Sequence, residues 1–200
     1  KSHKRANEGS KKLLHVFLCR GPEARLIMSA KVLNVLILLG SNSEDAAKVL
    51  TQARSELAKR VPVRREGSLW RTAAWGFEGP DFLNQVLEVQ WSGEPMALLE
   101  MVLEVERSLG RVRDAQGPRY ASRSIDIDLL LTQPFLALAT PQLELPHPRM
   151  PMRRFVLQPV AEFWREWQAD ASGASVGDLL DRCSDQNDVH LHSNLNDHDL

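Results

Sequence analysis

The chain has 200 residues, 43% of them apolar, and a formal net charge of -1, which suits one domain with a sizeable core and supplies no global basic field for nucleic acid. Its two cysteines, Cys19 and Cys183, lie near the ends and fit neither a disulfide framework nor a zinc spacing, which points to a reducing compartment, the cytoplasm. No apolar run approaches the ~18 residues of a membrane span.

Residues 1–30 open on "KSHKRANEGSKK" and hold one short apolar patch, "LLHVFLC". The patch is too short for a secretory signal and Arg20 follows it. These residues read as a poorly ordered extension, with Met28 a candidate natural start. The main domain is expected over residues 31–170. "VLNVLILLG", Val32 to Gly40, reads as a central strand covered on both faces. "SNSEDAAKVLTQARSELAKR" reads as a helix with Ser43 as N-cap. Its apolar stripe is Ala46, Val49, Leu50, Ala53 and Leu57, and Pro62 ends it. "VRREGSLWRT" predicts a second strand, "AAWGFEGP" a loop, and "DFLNQVLEVQW" a third strand on which Phe82 and Asn84 share a face.

"SGEPMALLEMVLEVERSLG" predicts a second helix, opened at Ser92 or Gly93, with Pro95 in its first turn and Gly110 closing it. A polar loop, "RVRDAQGPRYASR", leads to the strand "RSIDIDLLL". A proline-punctuated stretch, "LELPHPRM", and an apolar piece, "FVLQPVAEFW", follow. Residues 171–200, ending "DRCSDQNDVHLHSNLNDHDL", carry little hydrophobic pattern and read as a largely disordered polar tail. The order β-α-β-β-α-β predicts an α+β, ferredoxin-like domain: a mainly antiparallel sheet with helices on one face.

The strand "RSIDIDLLL" carries the chemistry. With a side-chain period of two, Asp126 and Asp128 point to the same face. Adjacent carboxylates repel and raise each other's pKa, and a divalent cation removes that penalty. Magnesium takes one or two carboxylates and leaves its other positions to water and phosphate. Arg111, Arg113, Arg119 and Arg123 fall within thirteen residues upstream. Arginine bonds phosphate bidentately and keeps its charge, so acids and arginines together suit a metal-bound polyphosphate. An exposed strand and a solvated basic loop are the plain alternative.

Glu106 sits at the edge of the second helix's buried face and in its last turn, where a negative charge opposes the helix dipole. Pairing with Arg107 or Arg111 explains it structurally; bonding a ligand hydroxyl or amine explains it functionally. His147 lies between prolines in "PHP", where a rigid chain aims its ring. Trp70, Trp75, Phe82 and Phe155 are candidate stacking surfaces for a flat ligand. There is no P-loop and no G-x-G-x-x-G turn, so a nucleotide would be held by arginines and metal.

Seven blocks in order, "LILLGSN", "LWRTAAWG", "DFLNQVLEVQ", "EVERSLGRVR", "RSIDIDLLL", "LPHPRM" and "RRFVLQPVAEF", resemble the 6-hydroxymethyl-7,8-dihydropterin pyrophosphokinases of folate biosynthesis. The resemblance covers roughly Val32 to Trp164. It implies a ferredoxin-like fold and transfer of the pyrophosphoryl group of ATP to the pterin's hydroxymethyl oxygen, with release of AMP. It implies that Asp126 and Asp128 hold two magnesium ions on the triphosphate. Arg113, Arg123, His147 and Arg153 would contact phosphates, Arg113 and Arg123 acting with the aspartates in catalysis. Arg111 and Arg119 would join that basic set, and Glu106 would approach the nucleotide. Asn84 and the backbone around Thr72 would read the pterin's edge, Phe82 and Phe155 would sandwich its ring, and Trp75 completes the pterin-binding set.

Four positions depart from the family pattern. Phe82 replaces a frequent tyrosine, Ala73 and Ala74 stand where prolines are common, Tyr120 stands for a tryptophan, and "YASR" replaces glycine-proline before the arginine. None removes a charge the mechanism needs. The loop Asp114–Ser122 is a candidate mobile lid. The substrates implied are ATP and the pterin alone, with no nucleic acid and no membrane, and the protein is expected to act as a monomer. Two rivals keep the fold: a metal-dependent nucleotidyltransferase of polymerase-palm type, and a non-catalytic nucleotide-binding module.

Overall fold

Nine residues, Leu33–Ser41, form β1, and all but Asn34 are buried, as expected of a strand packed on both faces. The computed structural model describes residues 32–74, 79–111 and 124–193. Around β1 it places α1 (Ala46–Ala58), β2 (Val63–Glu66), β3 (Leu69–Thr72), β4 (Phe82–Trp91), α2 (Pro95–Ser108) and β5 (Asp126–Gln133). A two-strand ribbon of β6 (Leu138–Ala139) and β7 (Glu144–Leu145) follows, then a 3-10 turn at Met150–Met152, α3 (Arg154–Trp164), α4 (Val176–Asp181) and β8 (Val189–Ser193). The sheet runs β5-β1-β4-β3-β8, with β2 also on β4, and each strand pair is antiparallel. This is the expected α+β, ferredoxin-like arrangement. Among the described residues no helix is long and apolar enough to cross a membrane.

The α1 stripe read from the sequence is buried except for half-buried Val49, and α2 presents a matching apolar face. Leu50, Ala53 and Leu57 of α1 and Leu98, Val102 and Val105 of α2 pack with Ile37, Leu39, Leu87 and Val89 from one face of the sheet. α1 starts later than expected: its N-cap is Asp45. The Ser43 hydroxyl is engaged with that of Ser41 at 3.0 Å rather than with the helix start. α2 begins at Pro95 behind Glu94, and Gly110 closes it at φ +84.

Helices cover both faces, not one. Leu36, Leu38, Val86 and Leu130 pack on the other face against Val156, Leu157, Val160 and Trp164 of α3 and Val176, Leu179 and Leu180 of α4. The apolar run "FVLQPVAEFW" is this second layer, with Pro159 inside the helix.

Residues 171–193 are not a disordered tail. Ser175 and Asp178 form a reciprocal capping box on α4. The Asp185 carboxylate accepts the Arg154 backbone N–H at 2.9 Å, at the start of α3. β8 then adds to the edge of β3, with Trp70 opposite Leu191. Elements of six and five residues show too few turns or alternations for a pattern to register. Residues 1–30, the loop Asp114–Ser122 and residues 194–200 lie outside the described residues.

The predicted strand "VRREGSLWRT" divides. Glu66 pairs with Leu87, and Trp70 with Asn84. Four steps on one strand match three on its partner, so one residue bulges at Gly67–Ser68. The bulge reverses which face the following residues present. Trp70 and Thr72 therefore stand on the α3 face with Asn84, opposite to the Leu87 side.

Candidate active site

Three neighbouring strands build one rung of the site. Asp126 on β5 lies opposite Gly40 on β1, and Gly40 lies opposite Asn84 on β4. Residues directly opposite in a sheet share a face, so Asp126 and Asn84 look out on the same side. Asp128 sits opposite Leu38 one pleat further on, and Phe82 lies one pleat from Asn84 in the other direction. The expected pairs, Asp126 with Asp128 and Phe82 with Asn84, thus occupy one face of the sheet. Beyond the site, α3 packs on that face.

The two aspartates differ. Asp126 pairs with Arg111, whose Nη1 also donates to the Ile125 carbonyl at 2.6 Å and lies 3.2 Å from Glu106. Burial pushes the Asp128 carboxyl up to about 7; the charges of Asp126 and Glu106 add to the rise, and Arg153 and Arg149 oppose it. A carboxylate held there against its own charge is a good receptor for a cation. Among the described residues no cluster of three acidic, histidine or cysteine ligands gathers. The donor set is a carboxylate pair, the number magnesium accepts when phosphate and water fill the rest.

Glu106 is only 1% exposed. Its Oε1 accepts the Ile127 backbone N–H at 2.8 Å, between the two aspartates in sequence, and pairs with Arg111. Of the two explanations open for Glu106, the structural one is directly seen in its pairing with Arg111, and the bond from Ile127 N–H also ties it to the strand that carries Asp126 and Asp128.

His147 is tied by its main chain, which donates to the Leu130 carbonyl of β5 at 2.6 Å. Its ring Nδ1 accepts the Arg149 backbone N–H at 3.2 Å. An accepting Nδ1 assigns the ring proton to Nε2. Burial, then the charges of Arg153 and Arg149, lower its pKa to about 4. The ring is neutral near pH 7 and has one N–H to offer. Arg153 is 8% exposed and lies over the Phe155 ring at 5.4 Å, which brings a phosphate-type cation and a stacking ring together at the start of α3.

Thr72 and Asn84, both buried, are joined: Asn84 Nδ2 donates to Thr72 Oγ1 at 2.9 Å. Behind them Glu162 of α3 accepts from the Ser68 backbone N–H (3.0 Å), the Ser68 hydroxyl (2.6 Å) and Trp70 Nε1 (3.3 Å). This clamp holds the bulge that aims β3. Trp75, Arg113, Arg119 and Arg123 lie outside the described residues.

Three residues of the site were missed. Arg149, inside the "LPHPRM" block, acts electrostatically on both Asp128 and His147. Asn42, one residue before the expected cap Ser43, is 2% exposed and donates to the Pro80 carbonyl at 3.5 Å, joining the end of β1 to the approach to β4. Gly40 separates the acid pair from Asn84. Only the tertiary pairing marks Asn42 and Gly40; for Arg149 a sequence signal existed, as a further cation next to His147.

The model of the family described as 7,8-dihydro-6-hydroxymethylpterin-pyrophosphokinase (HPPK) matches residues 36–165. A 2-amino-4-hydroxy-6-hydroxymethyldihydropteridine pyrophosphokinase of Porphyromonas gingivalis is 38% identical over 130 residues, covering 64% of this chain and 88% of the relative. The protein of that name from Bacillus subtilis is 38% identical over 143 residues, covering 70% and 83%. In structure, the chain is similar to wild-type Plasmodium falciparum HPPK-DHPS with pteroate, with a TM-score of 0.60 at 12% identity, over 76% of this chain. It spans 42% of that longer protein, and at this identity the likeness speaks for the fold alone. On the extent of the family match and the length shared with these relatives, the chain belongs to the 7,8-dihydro-6-hydroxymethylpterin-pyrophosphokinase family.

Proposed function

We infer that this chain transfers the pyrophosphoryl group of ATP to the hydroxymethyl oxygen of 6-hydroxymethyl-7,8-dihydropterin, a step of folate biosynthesis, using the face that carries Asp126, Asp128, Asn84 and Phe82. The observation that carries this reading is the rung Asp126–Gly40–Asn84. It sets a cation-seeking acid pair beside a hydrogen-bonding amide on one surface. The hydroxymethyl oxygen forms a bond to the β-phosphorus, the bond from that phosphorus to the α-phosphate oxygen breaks, and AMP leaves with the electron pair. The hydroxyl proton passes to solvent.

Such transfers ask for in-line positioning and for neutralisation of phosphate charge rather than for covalent help. Asp126 and Asp128 would hold magnesium, two ions in this reading, which would supply that neutralisation. Arg153, Arg149 and the arginines 113, 119 and 123 would add to it, with Arg113 and Arg123 assigned to the transferred group. Neutral His147 would donate Nε2–H to a phosphate oxygen. Arg111 and Glu106 would act on the nucleotide side through Asp126 and the β5 backbone. Asn84, Thr72 and Trp75 would read the pterin, and Phe82 and Phe155 would stack on it. The two small substrates are handled by a monomer in the cytoplasm.

The test is AMP release. ATP, magnesium and the hydroxymethyl pterin should together yield AMP and the pterin diphosphate. Release of inorganic pyrophosphate would instead mark a nucleotidyltransferase, and no release a binding module.

A further inference from the structure

Gly40 lies at the centre of the site and has no side chain to offer it. It pairs with Asp126 on one side and Asn84 on the other. Adjacent strands are about 4.8 Å apart, so the acid-bearing and amide-bearing backbones stand about 10 Å apart with Gly40 between. A Cβ added at Gly40 would lie 3.1 Å from Asn84 Oδ1 and 3.9 Å from Phe82 Cδ1. Any side chain here would therefore stand between the amide and the aspartates and press on the amide itself. Gly40 falls inside a strand, where glycine weakens pairing and often marks close approach of a ligand. The residues that precede it in β1, Val35 to Leu39, are all large and apolar.

We propose that Gly40 is a positioning residue: its bare backbone is the floor across which the pterin's hydroxymethyl group reaches the β-phosphate. This rests on the function inferred above. The pterin, read at Asn84, must extend one strand spacing toward Asp126 for its oxygen to meet phosphorus. The only strand between them presents no side chain at that level. The rule that residues two apart share a face puts Leu38 next along β1, and Leu38 is already buried against α3. The crossing is thus confined to Gly40.

The experiment is Gly40→Ala, measured for thermal stability, for calorimetric binding of an α,β-methylene ATP analogue with magnesium, and for steady-state AMP formation. The melting temperature should stay within a few degrees of the wild type and the analogue's Kd within about threefold. kcat should fall by about 100-fold, the scale of a 1 Å misplacement, with a smaller rise in pterin KM. A kcat within threefold of the wild type overturns the proposal. A second comparison removes the alternative that the glycine only makes room for Asn84. In an Asn84→Ala background the closest contact is gone. Adding Gly40→Ala there should still lower single-turnover AMP formation at least tenfold, and no further loss overturns the proposal. That double variant also carries the test if Gly40→Ala alone fails to fold. If the wild type forms no AMP with the pterin, the functional reading fails; if it does and Gly40→Ala matches it, only the floor is refuted.

Discussion

Replacing Asp128 with asparagine removes a charge that the folded chain holds at a cost. Burial, then Asp126, raise the carboxyl from 3.8 to about 7. The difference is about three pH units, and at 1.36 kcal/mol per unit it amounts to about 4 kcal/mol against the ionised folded state. The side chain keeps partial exposure, and solvent screening brings the figure nearer to about 2 kcal/mol. The sign follows from linkage. Below about pH 4 the group is protonated in folded and unfolded chains alike and imposes nothing. As pH rises toward 7 the unfolded chain releases the proton while the folded chain keeps it, so stability falls across that window. Asp128→Asn should lack this slope. In chelator at pH 8 the variant should melt roughly 4–8 °C above the wild type, at about 2–4 °C per kcal/mol, and the two should converge near pH 4. Magnesium with an ATP analogue should raise the wild-type melting temperature and leave the variant's unchanged. AMP formation should drop by at least about 100-fold. Parallel pH profiles in chelator, or near-normal turnover, would refute the strained-carboxylate argument and the metal assignment respectively.

Glu106→Ala should cost about 3 kcal/mol in urea unfolding, because it orphans the buried Ile127 N–H and strips one partner from Arg111; a loss under about 1 kcal/mol would contradict its anchoring role. The depressed His147 pKa predicts that stability declines as pH falls from 6.5 toward about 4, where the unfolded ring takes a proton that the folded ring refuses. His147→Gln should flatten that limb of a melting-temperature profile. Truncation after Asp188 removes β8 and bares the β3 edge. It should lower the melting temperature and raise pterin KM more than ATP KM, whereas equal effects on both would disconnect β8 from the site. Trp164→Phe leaves Glu88 without its indole donor at 2.7 Å and should cost about 1–3 kcal/mol of stability with kcat unaltered.

The amphipathic faces of α1 and α2, the largely apolar β1 and the shared face of Asp126 and Asp128 were legible because each depends on local periodicity. So was the pairing of Phe82 with Asn84. The second helical layer was visible only as apolar composition, and α4 and β8 not at all, since their role comes from contacts with α3 and β3. Glu106 was placed at the edge of a buried face; its engagement with Ile127 N–H needed the strand beside it.

What the sequence determined by itself was a set of elements, their order and the chemistry of the acid pair, because side-chain spacing and residue type act within a few neighbours. What only the tertiary structure decided was which of those residues meet. The extra residue at Gly67–Ser68 turns Trp70 and Thr72 toward Asn84, and the antiparallel register puts Gly40 between Asn84 and Asp126. Register is set jointly by two strands far apart in sequence, and shifting it by one residue reverses every side chain, so no single segment can carry that information.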